Sequence, residues 1–351
     1  MINQILPTLS YGDAVSNSAV NIMKILRDMG IESNIYAQNI HPKMERYAKK
    51  ASLCPKDQTI IYHLSTGSDL AYEIPSFKKK KILVYHNVTP AHFFVGYSGV
   101  LKKLCEEGRE QLAFLSNYID LAIADSEFNR LELEVLNYKN TFTSSIIINY
   151  EDYTMKSEFK KFPIDKKDEN INILFVGRIA PNKKQEDIIK SFYYYRNYIN
   201  KSSKLSLVGS YEGMDRYYRE LQNLVQHLKL EDSVNITGHI PFNDILNYYN
   251  HSDLFLCMSE HEGFCVPIIE AMYFDLPIVA YKSTAVTETL GNGGILTLEK
   301  NHKEIAELMN VILKDEELKS KIHHNQRNQL QKYSKTSAED QFKNILKHFI
   351  I

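Results

Sequence analysis

The chain has no tryptophan, and in 351 residues it has only four cysteines, fourteen glycines and ten prolines. The cysteines (Cys54, Cys105, Cys257 and Cys265) show no paired close spacing, so a disulfide scaffold is excluded and reduced thiols are expected. Cys257, His261 and Cys265 are evenly spaced, but the set crosses an expected strand, a loop and a helix start and has no fourth ligand. No metal site is therefore assigned there. Charge of one sign is also lacking: the formal net charge is −1, without the basic excess that a nucleic-acid partner requires. No run approaches ~18 consecutive apolar residues, so no transmembrane helix is expected. Met1–Ser10 has neither a basic n-region nor a small-residue cleavage site, so no secretory signal is expected and the chain is placed in the cytoplasm.

What remains is an ordinary globular composition, 44% hydrophobic and 24% charged, and a length that suits two α/β domains better than one core. Apolar runs of strand length alternate with segments of helical period, the pattern of βαβ units and a parallel sheet. In the first half, strands are expected at Gln4–Leu9, Ile60–Leu64, Lys81–Asn87, Leu121–Asp125 and Ser145–Asn149, with a helix over Ser16–Met29. In the second half they are expected at Ile171–Val176, Lys204–Val208, Val234–Thr237, Asp253–Met258, Pro277–Ala280 and Gly294–Leu296. Helices are expected over Gln185–Tyr198, Met214–Leu228, Phe242–Asn250, Val266–Phe274 and Thr287–Leu290. Polar, lysine-rich Glu151–Asn170, with Pro163, is the expected break. The expected domains are 1–160 and 161–334, both Rossmann-like and doubly wound, facing a central cleft. A last helix, 335–351, is expected to cross back to the first domain.

The chemistry concentrates after two strands of the second half. Following Asp253–Met258, Glu262-Gly263-Phe264-Cys265-Val266 leads into a helix carrying Pro267 in its first turn, where a missing N–H is harmless. Gly263 permits close backbone approach to a ligand. The helix start offers unpaired N–H groups and a positive dipole end at the carboxyl end of a parallel strand, where open α/β sheets bind ligands. Glu262 on the loop and Glu270 one turn into the helix suit hydroxyl-rich groups flanking a diphosphate. After Ile171–Val176, Gly177-Arg178 and Lys183 supply a forked cation and a point charge suited to that diphosphate. No Asp-x-Asp triplet is present to hold a metal for this purpose, so metal-independent chemistry is expected, with Arg178 and Lys183 as the electrophilic pair.

Glu262-x7-Glu270 and Val176-Gly177-Arg178 with Lys183 resemble the motifs of the retaining family-4 glycosyltransferases, which have the GT-B fold. The resemblance covers most of Ile171–Leu298 and, more loosely, the first half. It implies that Glu270 holds the ribose of a nucleotide sugar and Glu262 the donor-sugar hydroxyls, with backbone N–H groups around Gly263–Val266 facing sugar and phosphate. Lys184 stands where the family commonly has glycine, leaving open which lysine reaches the phosphate. Gly209, in Leu207-Val-Gly209-Ser-Tyr-Glu-Gly213, only approximates a Gly-x-Gly near the base.

In the first half, His86 ends a strand where similar transferases carry a histidine that contacts the donor sugar. Neighbouring Asn87 is an acceptor-side candidate. Gly12 lies in a loop resembling the family's N-terminal glycine loop, and Asp13 either touches the acceptor or caps a turn. Ser126 is expected to cap a helix. By the resemblance, the donor is GDP-mannose or a UDP-hexose, and the acceptor a glycan or lipid-linked glycan of bacterial surface polysaccharide synthesis. Lys78–Lys81 and Tyr97–Leu115 are either a solvated face or a weak peripheral membrane contact at the inner face of the plasma membrane. A sugar-nucleotide epimerase of the same fold and a catalytically inactive glycan-binding module are the rival readings.

Overall fold

A computed structural model describes residues 1–154 and 170–349. The middle of the expected break, residues 155–169 with Pro163, lies outside the described residues. The chain forms two compact units. One comprises Met1–Val95, Gly99–Ile148 and the chain end from Tyr333; the other comprises Asn149–Lys332 with Gly96–Ser98.

The first unit is built on seven parallel strands: Ile2–Leu9 (β1), Ile35–Ile40 (β2), Ala48–Lys50 (β3), Thr59–Leu64 (β4), Lys81–Tyr85 (β5), Leu121–Ala124 (β6) and Thr141–Thr143 (β7). They lie side by side in the order β3-β2-β1-β4-β5-β6-β7, with every neighbouring pair parallel. The central strands are almost continuously buried, as a parallel sheet covered on both faces requires. The helix Ala14–Asp28 covers one face with Ile22, Ile25 and Leu26. Asp13 caps it, its Oδ2 accepting from Ser16 N at 3.0 Å and from Ser16 Oγ at 2.9 Å.

The last helix, Lys335–Phe349, packs on the same face. Ala338, Phe342 and Leu346 recur every four residues, so they form one stripe, and that stripe joins Ile2, Ile22, Ile61, Ile82 and Ile123 in one apolar cluster. The apolar run Ser145–Asn149 is not a strand; β7 precedes it. Its Ile146–Ile148 are buried, and the Asn21 side chain donates to the Ile147 carbonyl at 2.9 Å, so a side chain satisfies backbone that would otherwise need a neighbouring strand.

The second unit has six parallel strands: Ile171–Val176 (β8), Ser203–Val208 (β9), Val234–Ile236 (β10), Leu254–Cys257 (β11), Ile278–Tyr281 (β12) and Ile295–Thr297 (β13). Their order is β10-β9-β8-β11-β12-β13. Strand order therefore reverses between β1 and β4 in one sheet and between β8 and β11 in the other. At such switch points the connections leave in opposite directions and open a crevice at the carboxyl ends. No described helix is long and apolar enough to cross a membrane.

Candidate functional site

The loops that leave β8 and β11 flank the switch point of the second sheet, and they are tied together. Asn182, buried between them, accepts from Glu260 N at 2.8 Å through its carbonyl. It donates from its side chain to the His261 carbonyl at 3.0 Å. Asn182 is not among the residues expected from sequence, because its partners lie 78–79 residues along the chain. On the other side, Thr284 Oγ1 accepts from Glu262 N at 2.9 Å, and Thr289 donates to the Phe264 carbonyl. Residues from two connections, β8–β9 and β12–β13, thus fix the backbone of one loop.

Within this frame Lys183 Nζ meets Glu262 Oε2 at 2.5 Å, with side chains 19% and 11% exposed. Burial opposes the ammonium charge of Lys183. The Glu262 carboxylate and the thiols of Cys265 and Cys257 outweigh it and hold the amine above its ordinary value. Lys184 turns elsewhere: its backbone is left-handed, with φ of 54°, and its amine pairs with Glu260 at 3.4 Å and Glu186 at 3.6 Å. Of the two lysines, Lys183 is the one at the Glu262 loop. Arg178 is exposed at the end of β8, and its Nη2 donates to the Glu212 carbonyl at 2.8 Å.

Gly177 and Gly209 end the neighbouring strands β8 and β9 with φ of 154° and 153°. A Cβ on Gly209 would stand 2.0 Å from the Gly177 carbonyl oxygen. Gly209 is thus required by the contact between two strand ends, which keeps the Arg178 turn close to β9.

The helix that follows the loop is Val266–Tyr273, with Cys265 as its N-cap and Pro267 in its first turn. Cys265 has a left-handed backbone in this loop, with φ of 77°. Phe264 and Cys265 are buried, whereas Gly263 and Val266 are partly open.

Cys257, Glu262 and Cys265 bring their ligand atoms within 4.8 Å of one another. His261, evenly spaced with the two cysteines in sequence, is not a member of this group. The Cys265 thiol donates to the Cys257 sulfur, which draws Cys257 below the ordinary thiol value. The same bond, together with burial, pushes Cys265 well above it. Lys183 already supplies a positive charge beside this group.

Glu270, the fifth residue of the helix, is buried. Its Oε1 accepts from Tyr153 at 3.0 Å and its Oε2 from Tyr249 at 2.7 Å. Burial raises its carboxyl above the ordinary value, and the two tyrosine hydroxyls partly offset that. Each oxygen keeps further acceptor capacity, so the carboxylate is oriented but not saturated. Neither tyrosine was read as part of the site.

In the first unit, Gly12 has φ of 80° and open space around its Cβ position, in the turn after β1. Asp13 lies beside it as the cap already described. His86 was expected to present its ring to a ligand; instead the side chain is 2% exposed. Its Nδ1 lies 2.7 Å from Asp125 and its Nε2 lies 2.9 Å from His63 Nδ1. Asn87 has φ of 72° and donates to Asn129 at 2.8 Å and to Glu132 at 2.9 Å, which fixes the turn after β5. Ser126 caps Glu127–Val135 by accepting from Asn129 N at 3.2 Å.

Residues 156–329 match the model of the family described as glycosyl transferases group 1. The chain is 26% identical over 208 residues to the capsular polysaccharide biosynthesis glycosyltransferase CapM of Staphylococcus aureus, covering 55% of this chain and 53% of that protein. It is 23% identical over 304 residues to the O-antigen chain mannosyltransferase B of Escherichia coli, covering 84% and 74%. It therefore spans between about half and three quarters of the length of these relatives. Its fold is shared with Anabaena HepE in complex with UDP, at a TM-score of 0.76, 18% identity and 99% coverage of both chains. A sucrose-phosphate synthase from Thermosynechococcus elongatus shares it at a TM-score of 0.73 and 15% identity, over 99% of this chain and 98% of that one.

Proposed function

Over residues 156–329 the chain belongs to the group 1 glycosyl transferases, and from that premise we propose that it transfers a hexose, with retention, from a nucleotide-diphosphate sugar to a glycan or lipid-linked acceptor. One observation carries this reading: Lys183 and Glu262, from loops 79 residues apart, meet at the switch point beside a helix N-terminus. A cation, a carboxylate and a helix N-terminus at one place suit a sugar diphosphate, with charge to neutralise on one side and hydroxyls to hold on the other.

In this reading Glu262 holds sugar hydroxyls and Glu270 holds the ribose, with the tyrosine hydroxyls fixing its carboxylate. Lys183 and Arg178 stabilise the charge that builds on the departing diphosphate. The backbone of Gly263–Val266 faces the sugar and phosphate. Gly177 and Gly209 serve by letting two strand ends touch. A bond forms between the acceptor oxygen and the anomeric carbon as the bond from that carbon to the phosphate oxygen breaks. The acceptor proton passes to that leaving oxygen, on the same face of the sugar. No protein nucleophile is required, and the protein's contribution is alignment and charge stabilisation.

The polysaccharide relatives favour a surface-glycan acceptor, and we assign its binding to the first unit, with the Gly12–Asp13 turn and Asn87 as the candidates. GDP-mannose is suggested by the mannosyltransferase relatives, and a UDP-hexose by the UDP complex of HepE. Peripheral membrane contact falls to Lys78 and Lys79, since Lys80 donates to the Phe349 carbonyl and Lys102 and Lys103 are paired with Glu106 and Glu107. The test is a thermal-shift panel of UDP, GDP, ADP and dTDP sugars, followed by proton NMR of the product formed on an added glycan acceptor. The expected result is stabilisation by one nucleotide and an anomeric configuration matching the donor. Product of inverted configuration overturns retention. Donor conversion that needs no acceptor favours an epimerase, and binding without turnover an inactive module.

A further inference from the structure

Across the first sheet runs a chain of hydrogen bonds that joins His86 to three buried side chains to which the donor chemistry assigns no role. It takes one side chain from each of four adjacent positions: Gln4 on β1, His63 on β4, His86 just past β5 and Asp125 just past β6. This is the order in which the sheet lays those strands together. Gln4 Oε1 lies 2.9 Å from His63 Nε2, His63 Nδ1 lies 2.9 Å from His86 Nε2, and His86 Nδ1 lies 2.7 Å from Asp125 Oδ2. Gln4 and His63 have no exposure, and the side chains of His86 and Asp125 are 2% and 4% exposed.

The proton count of this chain is set by its ends. Gln4 Nε2 donates to the Ala19 carbonyl at 3.0 Å. A carbonyl can only accept, so Gln4 necessarily turns its amide oxygen, also an acceptor, toward His63. The other end is a carboxylate, again an acceptor. Three hydrogen bonds lie between two acceptor ends and need three hydrogens, but two neutral imidazoles carry only two. With Asp125 ionised, one ring is therefore protonated on both nitrogens. His63 sits between an amide oxygen and another ring, with no counter-charge. Its full burial, and then His86, hold its basicity well below the ordinary value. His86 touches the carboxylate. The small cavity beside Asp125 is lined otherwise by apolar residues and by Ser18, Ser144 and Ser145, so it offers no second cation.

We propose that His86 is a fixed imidazolium, donating to Asp125 from Nδ1 and to His63 from Nε2, and that His63, itself oriented by Gln4, is the positioning residue that imposes this state. Such a ring has no lone pair and cannot serve as a base. It is a permanent positive charge at the sheet edge where ligands of α/β folds are received. The protonation state follows from the first unit alone; only its effect on turnover rests on the glycosyl-transfer reading.

The test uses the full chain labelled with 15N-histidine, with proton–nitrogen correlations recorded at pH 7.5. One of the twelve histidines is expected to show hydrogen on both ring nitrogens, in slow exchange, and to disappear in His86→Gln. His63→Asn retains an acceptor oxygen and is expected to keep the signature, while His63→Leu is expected to lose it. If His63→Leu does not fold, Gln4→Met serves: without the amide oxygen, His63 is free to turn its hydrogen toward His86, and the signature is again expected to vanish. A bare nitrogen on His86 in the unaltered protein, including the case in which Asp125 holds the proton, overturns the proposal. So does a signature that survives His63→Leu or Gln4→Met. In turnover, His63→Leu is expected to lower kcat by about tenfold or more, equivalent to ~1.4 kcal/mol, with His63→Asn restoring most of it. Unchanged kcat with the signature lost removes the positioning role. Absence of transfer in the unaltered protein defeats the functional reading and leaves the spectra to decide the protonation state.

Discussion

Replacing Lys183 by methionine keeps most of the side-chain volume and deletes the charge, which isolates what the Lys183–Glu262 pair contributes. Breaking a buried ion pair from one side strands the other charge and costs about 3–5 kcal/mol. Because the two side chains keep 19% and 11% of their exposure, water screens part of that loss, and ~3 kcal/mol is the expected figure. For a unit of this size each kcal/mol moves the melting midpoint by about 2–4 °C, so Lys183→Met is expected to lower it by roughly 6–12 °C. Adding Glu262→Gln removes the stranded carboxylate, and the double variant is expected to recover much of the stability. Nucleotide-induced stabilisation is not expected to return, because the cation that meets the diphosphate is still missing. Calorimetry of both single variants and the double variant, treated as a cycle, gives the coupling directly. A coupling below ~0.5 kcal/mol would refute the argument about the pair. A full nucleotide-induced shift in Lys183→Met would refute the assignment of the diphosphate to Lys183.

Three further outcomes follow from the same geometry. Glu270 has a raised carboxyl in the folded protein, so folding favours its protonated form. That carboxyl penalises the fold at high pH, and the penalty fades as pH falls through the raised value toward the ordinary 4.5. Glu270→Gln is accordingly expected to resist urea better than the unaltered chain at pH 8, with no advantage below pH ~4, and to weaken nucleotide binding by about 10–100-fold through loss of a charged hydrogen-bond partner. Gly209→Ala puts a methyl group 2.0 Å from the Gly177 carbonyl and is expected to destabilise the second unit by about 2–4 kcal/mol, measured by urea unfolding. Phe342→Ala empties a buried position in the cluster shared with Ile2, Ile61 and Ile123; a loss of about 3–5 kcal/mol in the first unit is expected from chemical denaturation.

The second half was more legible in sequence than the first, for a physical reason. Its central strands β8, β11 and β12 are almost continuously buried and stand out as apolar runs, and its helices start and stop near glycine, proline or polar residues. The helix over Gln185–Tyr198 fell where periodicity put it. In the first half, Ile35–Ile40 was missed because Gln38 and Asn39 interrupt its apolar character. Ala48–Lys50 was missed because three residues with two lysines carry no period. Ser145–Asn149 misled because apolarity reports burial and does not report pairing. At the site, Glu262, Glu270, Arg178 and Lys183 were legible because a strand, a loop and a helix start place them within short stretches. Asn182, Thr284, Tyr153 and Tyr249 were not, since each acts through a partner far along the chain. Gln4 and His63 left a trace that can be read: a polar side chain inside a strand buried on both faces must find a hydrogen-bond partner.

The helix Lys335–Phe349 completes the apolar cluster of a unit whose other parts end at Ile148. During synthesis the first sheet is therefore finished long before its last covering helix leaves the ribosome. In the interval the surface around Ile2, Ile61 and Ile82 stays open to water and to other chains, since a nascent chain emerges at about 5–20 residues per second. The second unit, continuous from Asn149 to Lys332, has no such wait. A chain stopped before Lys335 thus joins a second unit complete in sequence to a first one lacking its cover, so short truncations at this end should produce aggregation before they produce any specific loss of chemistry.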